Sequence, residues 1–183
     1  MKLLKTKFGN ERIFLFFSIS IFFSLNGICQ TKNYDFKIVG GIVNQLPDNS
    51  QSNQYGGFLG GGAVRHAQLG RWDVDLSFIY LNKTSPERRI NTYDGISLKG
   101  QTNFLFKILP IGDSFLYLGP GIAIHQPLKS SGDYNGPSFG VNGKLMVPVK
   151  LGEVPFYLTY DADYLTLMGF WRNSIGITFS PNF

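Results

Sequence analysis

The sequence predicts an all-β fold, an eight-stranded antiparallel up-and-down β-barrel, on three observations. Apolar and polar residues alternate in most of eight separate stretches, and successive side chains on a strand point to opposite faces. Tight Gly-containing turns and longer polar loops link those stretches by turns. The third observation is compositional. Few windows carry the 3.6-residue period of an amphipathic helix, and 15% aromatic against 16% charged residues is too apolar for a disordered chain.

Residues 1–29 read as a cleaved signal peptide, leaving 30–183 as the barrel. A basic start (Lys2, Lys5, Lys7) precedes the apolar run Ile13–Leu25, too short to span a bilayer as a helix. Gly27 and Cys29 are the small residues before a cut at Gln30. Lipidation of Cys29 is the competing reading, but a lipobox wants a small residue where Ile28 stands and Leu where Asn26 stands. With the chain's single cysteine in the leader, disulfide and thiol chemistry drop out. Removing Lys2, Lys5, Lys7, Arg12 and Glu11 leaves 13 basic and 11 acidic residues, a net of +2 rather than +5. That balance gives no basic patch for nucleic acid.

The strands follow in order. The first, about Tyr34–Asn44, sets Tyr34, Phe36, Ile38 and Ile42 against Asp35, Lys37 and Val39. The second, about Tyr55–Gln68, is Gly-rich and alternates weakly, with Arg65 read as part of its polar face. The third sets Trp72, Val74, Leu76, Phe78 and Tyr80 against Asp73, Asp75 and Ser77. The fourth sets Ile96, Leu98, Phe104 and Phe106 against Ser97, Lys99, Gln101, Asn103 and Lys107. The fifth, Phe115–His125, is apolar on both faces, so alternation assigns it no sides. The sixth sets Phe139, Val141, Leu145 and Val147 against Asn142 and Lys144. The seventh sets Phe156, Leu158, Tyr160 and Tyr164 against Thr159, Asp161 and Asp163. The eighth sets Trp171, Ile175, Ile177, Phe179 and Phe183 against Arg172, Ser174 and Thr178.

Turns at Leu69-Gly70, Ile111-Gly112 and Leu151-Gly152 pair an aliphatic residue with a Gly expected to supply positive φ. Long loops follow the first, third and fifth strands. This asymmetry suits a transmembrane barrel of the outer membrane, with short periplasmic turns and long external loops. A lipocalin-like soluble barrel would bury the apolar faces instead. Aromatics at strand ends (Tyr34, Trp72, Tyr80, Tyr164, Trp171) suit interfacial girdles, and only closure satisfies every backbone group of a sheet in lipid. The apolar faces are therefore expected to meet lipid.

On Ile96-Ser97-Leu98-Lys99-Gly100, Phe115-Leu116-Tyr117-Leu118-Gly119-Pro120-Gly121 and the strand ending at Phe183, the chain resembles the PorT-like outer-membrane β-barrel domain family. It is more loosely similar to the OmpA-like eight-stranded barrels of Gram-negative bacteria. The resemblance covers about Tyr34–Phe183, although the fourth strand lacks the family's proline near its start. It implies an outer-membrane location, assembly by the barrel-assembly machinery from a C-terminal signal at Phe179 and Phe183, and, for some relatives, a part in a secretion machine. It transfers no catalytic or ligand-binding residue.

Inward polar faces would fill the lumen with a structural charge network of Lys37, Arg65, Asp73, Asp75, Lys99, Lys107, Lys144, Asp161, Asp163 and Arg172, joined by Asp35. Buried charges must be paired, and eight strands leave a bore just wide enough for side chains. A plugged pore is the reading, ahead of a gated ion path. Asp73/Asp75 and Asp161/Asp163, two apart on a strand, share a face as metal ligands would, yet the lysines of the same wall make them counter-ions. Neither a metal nor a cofactor is expected. An outer-leaflet lipid enzyme built on His125, Ser130 or Ser131 and Asp133 is the remote alternative. The favoured reading is a non-enzymatic envelope protein surrounded by outer-membrane lipid, with protein partners at its external loops.

Overall fold

The computed structural model describes residues 34–46, 53–82, 95–129, 136–151, 154–166 and 169–180. Chain contacts separate a leading unit, Met1–Tyr34, from a second unit, Asp35–Phe183. The expected signal peptide, Cys29 included, lies outside the described residues.

Period-two alternation yields eight strands: β1 (Tyr34–Leu46), β2 (Gln54–His66), β3 (Gly70–Leu81), β4 (Gly95–Ile111), β5 (Ser114–Lys129), β6 (Ser138–Leu151), β7 (Val154–Leu165) and β8 (Phe170–Phe179). Each pairs antiparallel with its sequence neighbour, and β1 pairs with β8 from Ile38↔Phe179 to Leu46↔Trp171, so the sheet closes into a barrel. Strands of 10 to 17 residues exceed or match the length needed to cross a bilayer at the usual tilt.

Polarity is inverted relative to a soluble protein. Ile38, Ile42, Leu59, Ile122, Val141, Ile175 and Ile177 are all more than half exposed on the outer wall, while Lys99, Lys144, Asp163 and Arg172 are buried inside. An apolar exterior of this extent is unsupportable in water and is what lipid requires. Aromatic side chains rim the wall at both ends. Trp72 packs edge-on against Phe104, and Phe104 against Phe106, near the turns; Tyr164 stacks at a tilt on Trp171 near the loops.

Two expectations need correction, and one open point is filled. β4 runs on to Ile111 and β5 starts at Ser114, leaving Gly112-Asp113 as the turn. Of Gly70 and Gly112, the described glycines of the three expected turns, Gly112 has positive φ, at 60°. Gly70 has an ordinary φ and is demanded by space, since a Cβ there would lie 2.1 Å from the Leu105 carbonyl oxygen. Gly152 lies outside the described residues. The sides of β5 are now assigned: Tyr117, Ala123 and His125 face the lumen, and Leu118, Ile122 and Leu128 face lipid.

Candidate functional site

The lumen is a column of polar side chains in two tiers. The tier nearer the short turns starts with Arg71. Its guanidinium lies over the rings of Tyr117 and Tyr157, at 4.7 and 4.9 Å, and its Nε sits 3.0 Å from Asp73 Oδ1. Leu105 and Met146 complete an apolar collar with the two tyrosines, and the Tyr157 and Ser114 hydroxyls bond to each other. One step further in, two lysines hold two aspartates. Lys37 Nζ lies 2.5 Å from Asp73 and 2.7 Å from Asp75, and Lys144 Nζ lies 2.6 Å from Asp75 and 3.3 Å from Asp73. Gln101 donates to Asp75 at 2.9 Å and accepts from Asn142 at 3.3 Å.

The tier nearer the loops is built around Arg172, which is fully buried. Its Nη2 donates to Gln45 Oε1 at 2.7 Å and its Nη1 to His125 Nδ1 at 2.7 Å. Because a guanidinium only donates, His125 Nδ1 carries no proton and the neutral ring holds it on Nε2, which faces Asp163 at 3.9 Å. Lys99 pairs with Asp163 at 2.6 Å. Gln45 donates to Gln54 at 2.7 Å, and Val43, Ile79 and Leu81 pack with Phe58 across the same level.

Strand geometry explains this convergence. Asp73 and Asp75 share the inner face of β3, and Asp161 and Asp163 that of β7, while Lys37 reaches them from β1, Lys99 from β4 and Lys144 from β6. Among the described residues the buried ionic set is five basic side chains against four acidic ones, with His125 neutral, so the column is near charge balance.

The structure places Lys37, Asp73, Asp75, Lys99, Lys144, Asp161, Asp163 and Arg172 in this column. It does not place Arg65 or Lys107 there. Arg65 falls on the outer wall with Tyr55 and Leu59, because β2 turns Phe58 and Val64 inward; its glycines gave no amphipathic signal to settle the side. Lys107 lies at the turn-side end of β4, opposite Tyr117 and just before an irregularity in the β4–β5 register, with Nζ 3.3 Å from the Gln68 carbonyl and 5.0 Å from the Phe115 ring. Asp35 pairs with His66 at 2.9 Å at the turn-side mouth. Phe179 faces lipid; Phe183 lies outside the described residues, as do Ser130, Ser131 and Asp133. His125, the base of the enzyme reading, is fully buried with Nδ1 occupied by Arg172.

Sequence reasoning missed Arg71, Gln45 and Gln54, and it named His125 only as an outer-rim base, without its place in the lumen. Arg71 was readable, since it stands two before Asp73 on the same face. His125 was not, because both faces of β5 are apolar.

A closed eight-stranded barrel with an apolar wall and an ionic lumen has the architecture of an outer-membrane β-barrel. The crystal structure of Neisserial surface protein A (NspA) is similar to this chain, with a TM-score of 0.60 and 13% identity, over 79% of this chain and 94% of that one. At that identity the likeness is one of fold. No family model and no curated protein matches the chain.

Proposed function

We propose that this protein is a non-enzymatic resident of the Gram-negative outer membrane, a closed barrel that presents its loops as a structural or binding module. The observation that carries this reading is the paired column from Arg71 to Arg172, which occupies the bore where a pore would need water. In this reading residues 1–29 direct export and are removed, and the short turns lie in the periplasm. Outer-membrane lipid surrounds the wall. The barrel-assembly machinery reads the terminal strand through Phe179 and Phe183, and protein partners meet the external loops.

Two measurements test it. Purified protein in a planar bilayer should give no steady conductance, and a sustained single-channel current would overturn the plugged lumen. Fractionation should place the mature chain in the outer membrane and release it only with detergent; recovery in a detergent-free soluble fraction would refute the location.

A further inference from the structure

Between the two tiers lies a small cavity lined by Val39, Phe58 and Ile79 on one side and by Asp75, Ser77, Lys99, Gln101, Asp161 and Ser174 on the other. Asp161 is the unusual member. It stands opposite Lys144 and Ser174 in the β-ladder and is 5% exposed, yet its Oδ1 accepts no hydrogen bond. The Lys144 ammonium is bonded to Asp75 and the Lys99 ammonium to Asp163. A buried carboxylate with an unpartnered oxygen therefore lines a pocket of mixed polarity with room for about one water-sized guest.

The lining decides the guest. A cation would meet the Lys99 ammonium, and an anion would meet the Asp75 and Asp161 carboxylates. A neutral molecule that both donates and accepts meets partners on every polar side: Asp161 Oδ1 as acceptor, Lys99 as donor, and the Ser77 and Ser174 hydroxyls as either. We propose that the cavity is a binding site for one ordered water molecule, held by Asp161, that bridges Lys99 of the loop-side tier to Asp75 and Gln101 of the turn-side tier. The column then becomes one continuous hydrogen-bonded unit. The inference goes beyond the plugged-barrel reading, because a plug of two unconnected tiers would block the bore equally well.

The test is water-to-methyl NOE spectroscopy on the full mature chain in lipid nanodiscs, with Val39 and Ile79 methyl groups as the probes. The wild type is expected to show cross-peaks of the sign given by a long-lived water. Asp161→Leu, which removes the acceptor and fills the space, should abolish them, and Asp161→Asn should retain them. Ser174→Val fills the same cavity from another strand and serves if Asp161→Leu does not fold. Absence of the cross-peaks in wild type, or their survival in every cavity-filling variant that folds, would overturn the site. Loss of the cross-peaks when sodium chloride replaces a neutral osmolyte would also overturn it, by showing an ion in the water's place.

Discussion

Asp75→Asn isolates the ionic column, because it changes charge while keeping shape. Asp75 lies within 2.7 Å of Lys37, 2.6 Å of Lys144 and 2.9 Å of the Gln101 amide. Among Lys37, Arg71, Lys144, Asp73 and Asp75, net charge rises from +1 to +2, and Lys37 and Lys144 are left competing for Asp73. Removing one partner of a buried ion pair costs about 3–5 kcal/mol, since the remaining charge stays desolvated. The folding equilibrium should therefore fall at least about a hundredfold. Reversible urea unfolding in lipid vesicles measures it. Trp72 and Trp171, both half exposed on the lipid-facing wall, report the passage from lipid to water. Asp113→Asn is the control, because that carboxylate and its partner Lys150, at 2.8 Å, are exposed on the turn tips and the pair is screened by solvent. Adding Lys144→Met to Asp75→Asn should recover part of the loss by removing the orphaned cation. If Asp75→Asn is no more destabilising than Asp113→Asn, the column does not hold the barrel.

Three further outcomes are expected. Ile122→Arg puts a charge on the lipid face near the middle of β5 and should cost about 2–4 kcal/mol in the same assay; a loss below about 1 kcal/mol would show that this wall does not face acyl chains. The Lys150 ammonium, by its hydrogen bond and then its charge, holds the Asp113 carboxyl below the usual carboxylate range. The contact should therefore persist above that range and be lost only as pH falls through the lowered value; a carboxyl titration by NMR that is unchanged in Lys150→Met would refute the pairing. Phe179→Ala and Phe183→Ala should each leave unfolded precursor in cells, read by heat-modifiable migration on gels, and normal assembly of both would remove the terminal strand as a recognition signal.

The fold was legible because one physical rule repeats through the chain. On β3, β4, β6, β7 and β8, side chains that alternate apolar and polar in sequence alternate lipid and lumen in space. Where the rule lost its grip, so did the reading. The glycines of β2 carry no side chain to alternate, and Arg65 at its end was assigned to the wrong wall. β5 presents Tyr117 and Ala123 to the lumen beside Ile122 and Leu118 to lipid, so its polarity could not be told before His125 was seen in place. The individual partnerships were never legible. Lys144 stands opposite Asp161 on the neighbouring strand, and a reading by register pairs them, but its ammonium crosses the bore to Asp75. Side-chain reach across a closed lumen is a property of the barrel and is not written in any one strand.

That crossing bears on how closure is specified. Backbone ladders fix each strand only against its two neighbours, and a regular ladder tolerates slippage unless side chains oppose it. The column supplies contacts of another kind: Lys37 of β1 to Asp75 of β3, Lys99 of β4 to Asp163 of β7, Lys144 of β6 to Asp75 of β3, and Gln45 of β1 to Arg172 of β8. Three of these four span the bore between strands that are not wall neighbours. A slip of one residue in any of those strands would turn its charge toward lipid, where an unpaired ion is expensive. The same side chains that fill the bore therefore penalise misregistered barrels, and this favours reading the lumen as the device that fixes the frame while leaving the loops free to vary.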